Sequence, residues 1–149
     1  MLAAMAIAAC LTAASPCGPS GAPAAPVPLD RFTATYERSG GLLPEPRKVV
    51  IRHRKALLKK SERVVAGVGT SSTTVKLSDR KLKQFRAAIS QPRFAAYESP
   101  FPGNCADCFI YTVAYRGEKV SVEEVDVPTR MRPLIDRAEA LIAAHLPFH

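Results

Sequence analysis

Cys105-Ala106-Asp107-Cys108 is the pairing in this chain whose residue types and spacing could do chemistry. Two thiols so close can cycle as a redox dithiol, supply half of a zinc site, or close a small structural disulfide. Redox pairs of this spacing work at a helix N-terminus, where the dipole lowers the thiol pKa. Here the pair follows Pro102-Gly103-Asn104 and feeds an extended stretch, which argues against that role. Zinc needs further ligands, and His53, His145 and His149 lie at no ligand spacing, so neither metal nor cofactor is expected. In an exported protein a disulfide is the default, and the loop-entropy relation gives so small a ring about 2 kcal/mol at most. The three readings stay open, with the disulfide leading.

Acid–base chemistry finds less support. Glu123, Glu124 and Asp126 are close in sequence, but a strand sends neighbours to opposite faces. His145 and His149 sit at a C-terminus prone to fraying, so no oriented acid–base pair emerges and the chain is expected not to be an enzyme.

The charge is lopsided. Residues 47–63 carry eight cations (Arg47, Lys48, Arg52, Arg54, Lys55, Lys59, Lys60 and Arg63) against Glu62, and 76–86 carry five more against Asp79. Residues 94–149 sum to −3, so the formal charge of +8 is concentrated in the middle of the chain. Such a patch suits an anionic polymer, an anionic lipid surface or an acidic partner. No aromatic residue interleaves the cations of 47–63, which argues against nucleic acid. The alternative is a set of solvated faces on a hairpin and a helix.

These residues need elements to position them. Phe109, Tyr111, Val113 and Tyr115 alternate, the pattern of a strand with one buried face. Phe32, Ala34 and Tyr36 predict an earlier strand broken by Ser39-Gly40-Gly41. Residues 47–61 predict two strands turning near Arg54-Lys55, and strand material continues around turns at Gly67, Gly69 and Ser71-Ser72. Ser78 is a good N-cap for a helix with Leu82, Phe85, Ala88 and Ile89 on one face, closed by Pro92. Arg116-Gly117-Glu118-Lys119 turns the late strand into a hairpin partner that is interrupted at Glu123-Glu124. A last helix opens at Pro128-Thr129 and carries Met131, Leu134, Ile135, Ala138, Leu141 and Ile142, with Pro133 tolerated in its first turn. The order predicts an α+β fold: an antiparallel sheet of about five to six strands with two helices.

The first 29 residues contain no Asp, Glu, Lys, Arg or His. Residues 1–11 read as the apolar part of a secretory signal, and Ile7-Ala8-Ala9-Cys10 has the form of a lipobox ending in the cysteine that receives lipid. The missing positive n-region leads to the expectation of a start upstream of Met1. Residues 12–29 are an Ala/Pro/Ser/Gly-rich tether, leaving 30–149 as a single domain, expected to be monomeric. The expected location is the outer face of the cell membrane through the lipid anchor, or otherwise secreted.

Three motifs then occur in order: Tyr36-Glu37-Arg38-Ser39-Gly40-Gly41, Phe109-x-Tyr111-x-Val113, and Val127-Pro128-x-x-Met131-Arg132-Pro133-Leu134-Ile135. Together they resemble the emfourin-like domains, the family of the protealysin inhibitor, and similar domains of actinobacterial lipoproteins. The resemblance covers about residues 31–146 and implies a metal-free inhibitor of a secreted thermolysin-type metallopeptidase. By similarity the contact loop would be Arg38, Ser39, Gly40, Gly41, Leu42 and Leu43. Family members usually continue Gly-Gly with an aromatic and small residues, where this chain has Leu42-Leu43-Pro44-Glu45-Pro46.

Overall fold

The structure, a computed structural model, describes residues 28, 31–42, 45–64, 67–90 and 105–146, apart from the side chains of 62–64. Cys10, Leu43, the signal segment and nearly all of the tether lie outside the described residues. The elements are β1 (Thr33–Gly40), β2 (Arg47–Arg52), β3 (Lys55–Val64), β4 (Gly67–Lys76), α1 (Asp79–Ile89), β5 (Phe109–Tyr115), β6 (Glu118–Glu123) and α2 (Arg132–His145). The six strands form one sheet in the order β4-β3-β2-β1-β5-β6, every neighbouring pair antiparallel. This is the α+β fold that the periodicities predict.

Alternation decides which face each side chain takes. Ala34, Tyr36, Val49, Ile51, Ala56, Leu58, Tyr111, Val113, Tyr115, Val120 and Val122 are buried on one face of the sheet. They pack in a single cluster with Leu82, Phe85 and Ile89 of α1 and with Leu134, Ile135, Ala138, Leu141 and Ile142 of α2. Phe32, just before β1, is fully enclosed and lies 5.7 Å from the Tyr115 ring. A large apolar side chain so placed contributes roughly 1.5–3 kcal/mol. Among the described residues, both helices lie on this face and none lies on the other.

The helices begin and end as their sequences require. Ser78 caps α1 by accepting from the Lys81 N–H, and the Ser90 N–H returns to the Arg86 carbonyl. Pro133 sits in the first turn of α2, where its missing N–H leaves no bond unmade. The chain leaves β6 at Glu123 into a 3-10 turn over Glu124–Asp126, at the predicted interruption.

Four boundaries move. α2 begins at Arg132, after a turn over Thr129 to Met131, rather than at Pro128-Thr129. β1 runs through Ser39 to Gly40, because the pairing with β5 extends to Gly40–Phe109. The β2–β3 turn falls on His53 and Arg54, one residue early, with His53 at φ 57. Gly69, Ser71 and Ser72 make no turn: they lie within β4, paired to Glu62, Lys60 and Lys59. Edge strands tolerate such residues, because half of their backbone faces solvent and little side-chain packing is asked of them.

Candidate functional site

The eight cations of residues 47–63 do not form one patch; the pleat divides them. Arg47 and Lys60 face the helices, while Lys48, Arg52, Lys55 and Lys59 lie on the open face. Arg54 occupies the β2–β3 turn and forms a 3.0 Å ion pair with Asp79 in the first turn of α1. Arg63 pairs with Val68 in the β3–β4 register, and its side chain lies outside the described residues.

On the covered face, Arg38, Arg47 and Lys60 are direct cross-strand neighbours on β1, β2 and β3. Like charges placed so repel one another unless an acid intervenes. Glu139 of α2 is that acid: Arg47 Nη1 donates to its Oε2, Arg38 Nη1 reaches the same oxygen at 3.5 Å, and the Tyr36 hydroxyl donates to Oε1 at 2.6 Å. Glu45 adds a second counter-charge 3.6 Å from Arg47. The Arg38 guanidinium lies 4.2 Å above the Phe109 ring. Burial, and then the bond to Glu139, push the Tyr36 phenol above its ordinary range. Lys60 is 1% exposed, and burial followed by the charge of Arg47 lowers its ammonium from the usual lysine range. This cluster ties α2 to the sheet.

The open face is arranged differently. Its rows can be read from the register: Thr33, Arg52, Lys55 and Lys76 lie side by side on β1 to β4, followed by Thr35, Val50, Leu57 and Thr74. The next row is Glu37, Lys48, Lys59 and Ser72, in which Lys48 Nζ pairs with Glu37 Oε2 at 3.1 Å. Among the described residues no acid forms an ion pair with Arg52, Lys55, Lys59 or Lys76. Lys76 thus joins the face although it stands well apart from residues 47–63 in sequence; only the β3–β4 register reveals it.

The loop that the resemblance singles out lies at the far end of β1. Gly40 and Gly41 have φ values of 77° and 85°, in the region that favours glycine. A Cβ on Gly40 would stand 2.7 Å from the Cys108 carbonyl oxygen, and the Gly41 N–H donates to that oxygen at 3.0 Å. Cys105 and Cys108 are at disulfide distance, their Cα atoms 5.3 Å apart. The cysteine turn and the glycine turn are therefore packed on each other. Arg38 and Ser39 belong to β1 within the sheet, whereas Leu42 is 78% exposed at the tip.

Among the described residues, no cluster of His, Cys, Asp and Glu could hold a metal, and no helix is long and apolar enough to cross a membrane. No protein-family model and no curated protein matches the chain.

Proposed function

We propose that the protein is an exported, lipid-anchored, non-catalytic binding module whose open sheet face contacts an anionic polymer or lipid surface outside the cell. The observation that carries this reading is the row Arg52, Lys55 and Lys76: three cations directly opposite one another on neighbouring strands, with no acid among the described residues paired to them. Unneutralised like charges at cross-strand positions cost stability, and a bound polyanion removes that cost. Export and anchoring rest on Ile7-Ala8-Ala9-Cys10 and the uncharged first 29 residues. Salt-sensitive binding to anionic polymer or vesicles, lost on replacing Arg52, Lys55 and Lys59 by glutamine, is the expected result; salt-insensitive or absent binding contradicts it.

A second reading draws on the other end of the molecule. An apolar Leu42 exposed beside Gly41, whose N–H is bonded to the Cys108 carbonyl, suits insertion into the apolar pocket of a thermolysin-type metallopeptidase. Inhibition of such a protease by the purified protein, abolished by Leu42→Asp, is expected here; full protease activity at micromolar protein rules the reading out.

A further inference from the structure

One end of the row Arg52, Lys55 and Lys76 runs into a hollow. It has a volume of about 320 Å³ and is lined by Arg31, Thr33, Thr35, Ala114 and Arg116 among others. Thr33 lies one position beyond the Ala34–Tyr115 pair, so it faces the Arg116–Gly117 turn between β5 and β6. Arg116 holds φ 55 in that turn and its guanidinium lies 5.7 Å from the Tyr115 ring centre. The line therefore continues across four strands and into the β5–β6 turn: Lys76, Lys55, Arg52, Thr33, then Arg116. Four interstrand steps make it about 19 Å long.

We propose that this line is a track for a single linear, phosphodiester-linked polyol chain, with one phosphate seated in the Arg31–Arg116 hollow and the following phosphates on Arg52, Lys55 and Lys76. The proposal rests on the polyanion-binding reading and names its ligand. Guanidinium groups present planar forks of donors that match phosphate oxygens, and Arg31 and Arg116 both line the hollow together with Thr33 and Thr35. The lysines further along act as point charges and demand less of the chain's geometry. Thr33, Thr35 and Thr74 supply hydroxyls beside the track for a polyol's own hydroxyls.

The charge is concentrated along one line. The adjoining row carries Thr35, Val50, Leu57 and Thr74 and no charge, and the row after it has Lys48 occupied by Glu37 and Lys59 as a single further cation. A bilayer presents a plane of headgroups and would be matched by cations spread over both rows. The row Thr33, Arg52, Lys55 and Lys76 carries no aromatic on which a nucleobase could stack, and Tyr115, which also lines the hollow, is buried. The chain's own leader has no acid before Asp30, so it offers the row no counter-charge.

The test is titration of the full chain with poly(glycerol phosphate) of graded length, glycerol 3-phosphate, equimolar phosphatidylcholine–phosphatidylglycerol vesicles and mixed-sequence single-stranded DNA. Affinity for the polymer should rise with length and level off near four phosphates, once about 19 Å is covered. Arg31→Gln should weaken both polymer and monomer about tenfold, the scale of one charge-assisted contact. Lys76→Gln should weaken only the long chains. Lys81→Gln, which removes the same charge from an exposed position on α1, should leave both within about twofold. Equal losses from Arg31→Gln and Lys81→Gln overturn the track and leave a diffuse attraction, under which the polyanion reading still stands. An unaltered affinity in Arg31→Gln removes the hollow from the site and overturns the proposal likewise. Tighter binding to vesicles or to DNA, per accessible phosphate, assigns the face to that ligand instead. Absence of binding to any of the four overturns both the track and the reading beneath it.

Discussion

Two rows of three cations cross the same sheet, one on each face. Arg38, Arg47 and Lys60 run over β1, β2 and β3 beneath α2; Arg52, Lys55 and Lys76 run over β2, β3 and β4 in the open. Their chemistry is nearly the same, yet the covered row has Glu139 and Glu45 drawn to it while among the described residues no acid pairs with the open row. A buried charge must be answered within the fold, because water is excluded from answering it. An exposed charge can be left to solvent and counterions, and so remains available to a partner. Neutralisation, more than charge count, separates the row that builds the molecule from the row that can bind.

The largest effect should come from cutting the covered row's counter-charge. Glu139→Gln leaves Arg38 and Arg47 without their shared carboxylate, and a loss of about 3 kcal/mol in unfolding free energy is expected by chemical denaturation. The same change should leave polyanion binding intact where the protein is folded. Gly40→Ala should cost about 2 kcal/mol, since the added Cβ meets a backbone oxygen at a positive φ; a melting curve checks it. Tyr36→Phe should cost about 1 kcal/mol at neutral pH through the lost bond to Glu139.

That last variant also carries a pH signature. The folded-state pKa of Tyr36 is raised, so its contribution is fully present below the unfolded phenol value near 10 and is lost as the pH climbs above it. Wild type should therefore lose more stability than Tyr36→Phe between neutral and strongly alkaline pH, and parallel curves would contradict this. The smallest effect belongs to the open row. Arg52→Gln and Lys55→Gln should each shift stability by less than about 0.5 kcal/mol, or raise it slightly by relieving cross-strand repulsion.

Much of the fold was legible before any coordinates. The alternation of Phe109 to Tyr115, the Ser78 cap and the apolar stripe from Leu134 to Ile142 are local signals, and each element is present, although α2 starts at Arg132 rather than at Pro128-Thr129. The β4 strand was not legible over Gly69 to Ser72, because turn-forming residues at a sheet edge are tolerated for reasons of position rather than propensity. The basic run was legible as a run but not as a surface. Alternation along β2 and β3 removes Arg47 and Lys60 from it, and cross-strand register adds Lys76 and the Arg31–Arg116 hollow. Glu139 as the partner of residues about one hundred positions away carries no local signal at all. The glycine pair was visible as a break, but its cause, the Cys108 carbonyl against Gly40, is a tertiary contact.

Binding of an anionic polymer to the triple variant Arg52→Gln, Lys55→Gln, Lys76→Gln, measured beside wild type at low and high salt, tests the division of the two faces most directly. The expected result is wild-type binding that weakens steeply with salt, no measurable binding by the variant, and the same melting temperature for both. Equal binding by the two proteins, or loss of binding together with loss of the fold, would contradict the assignment of the open row to a partner.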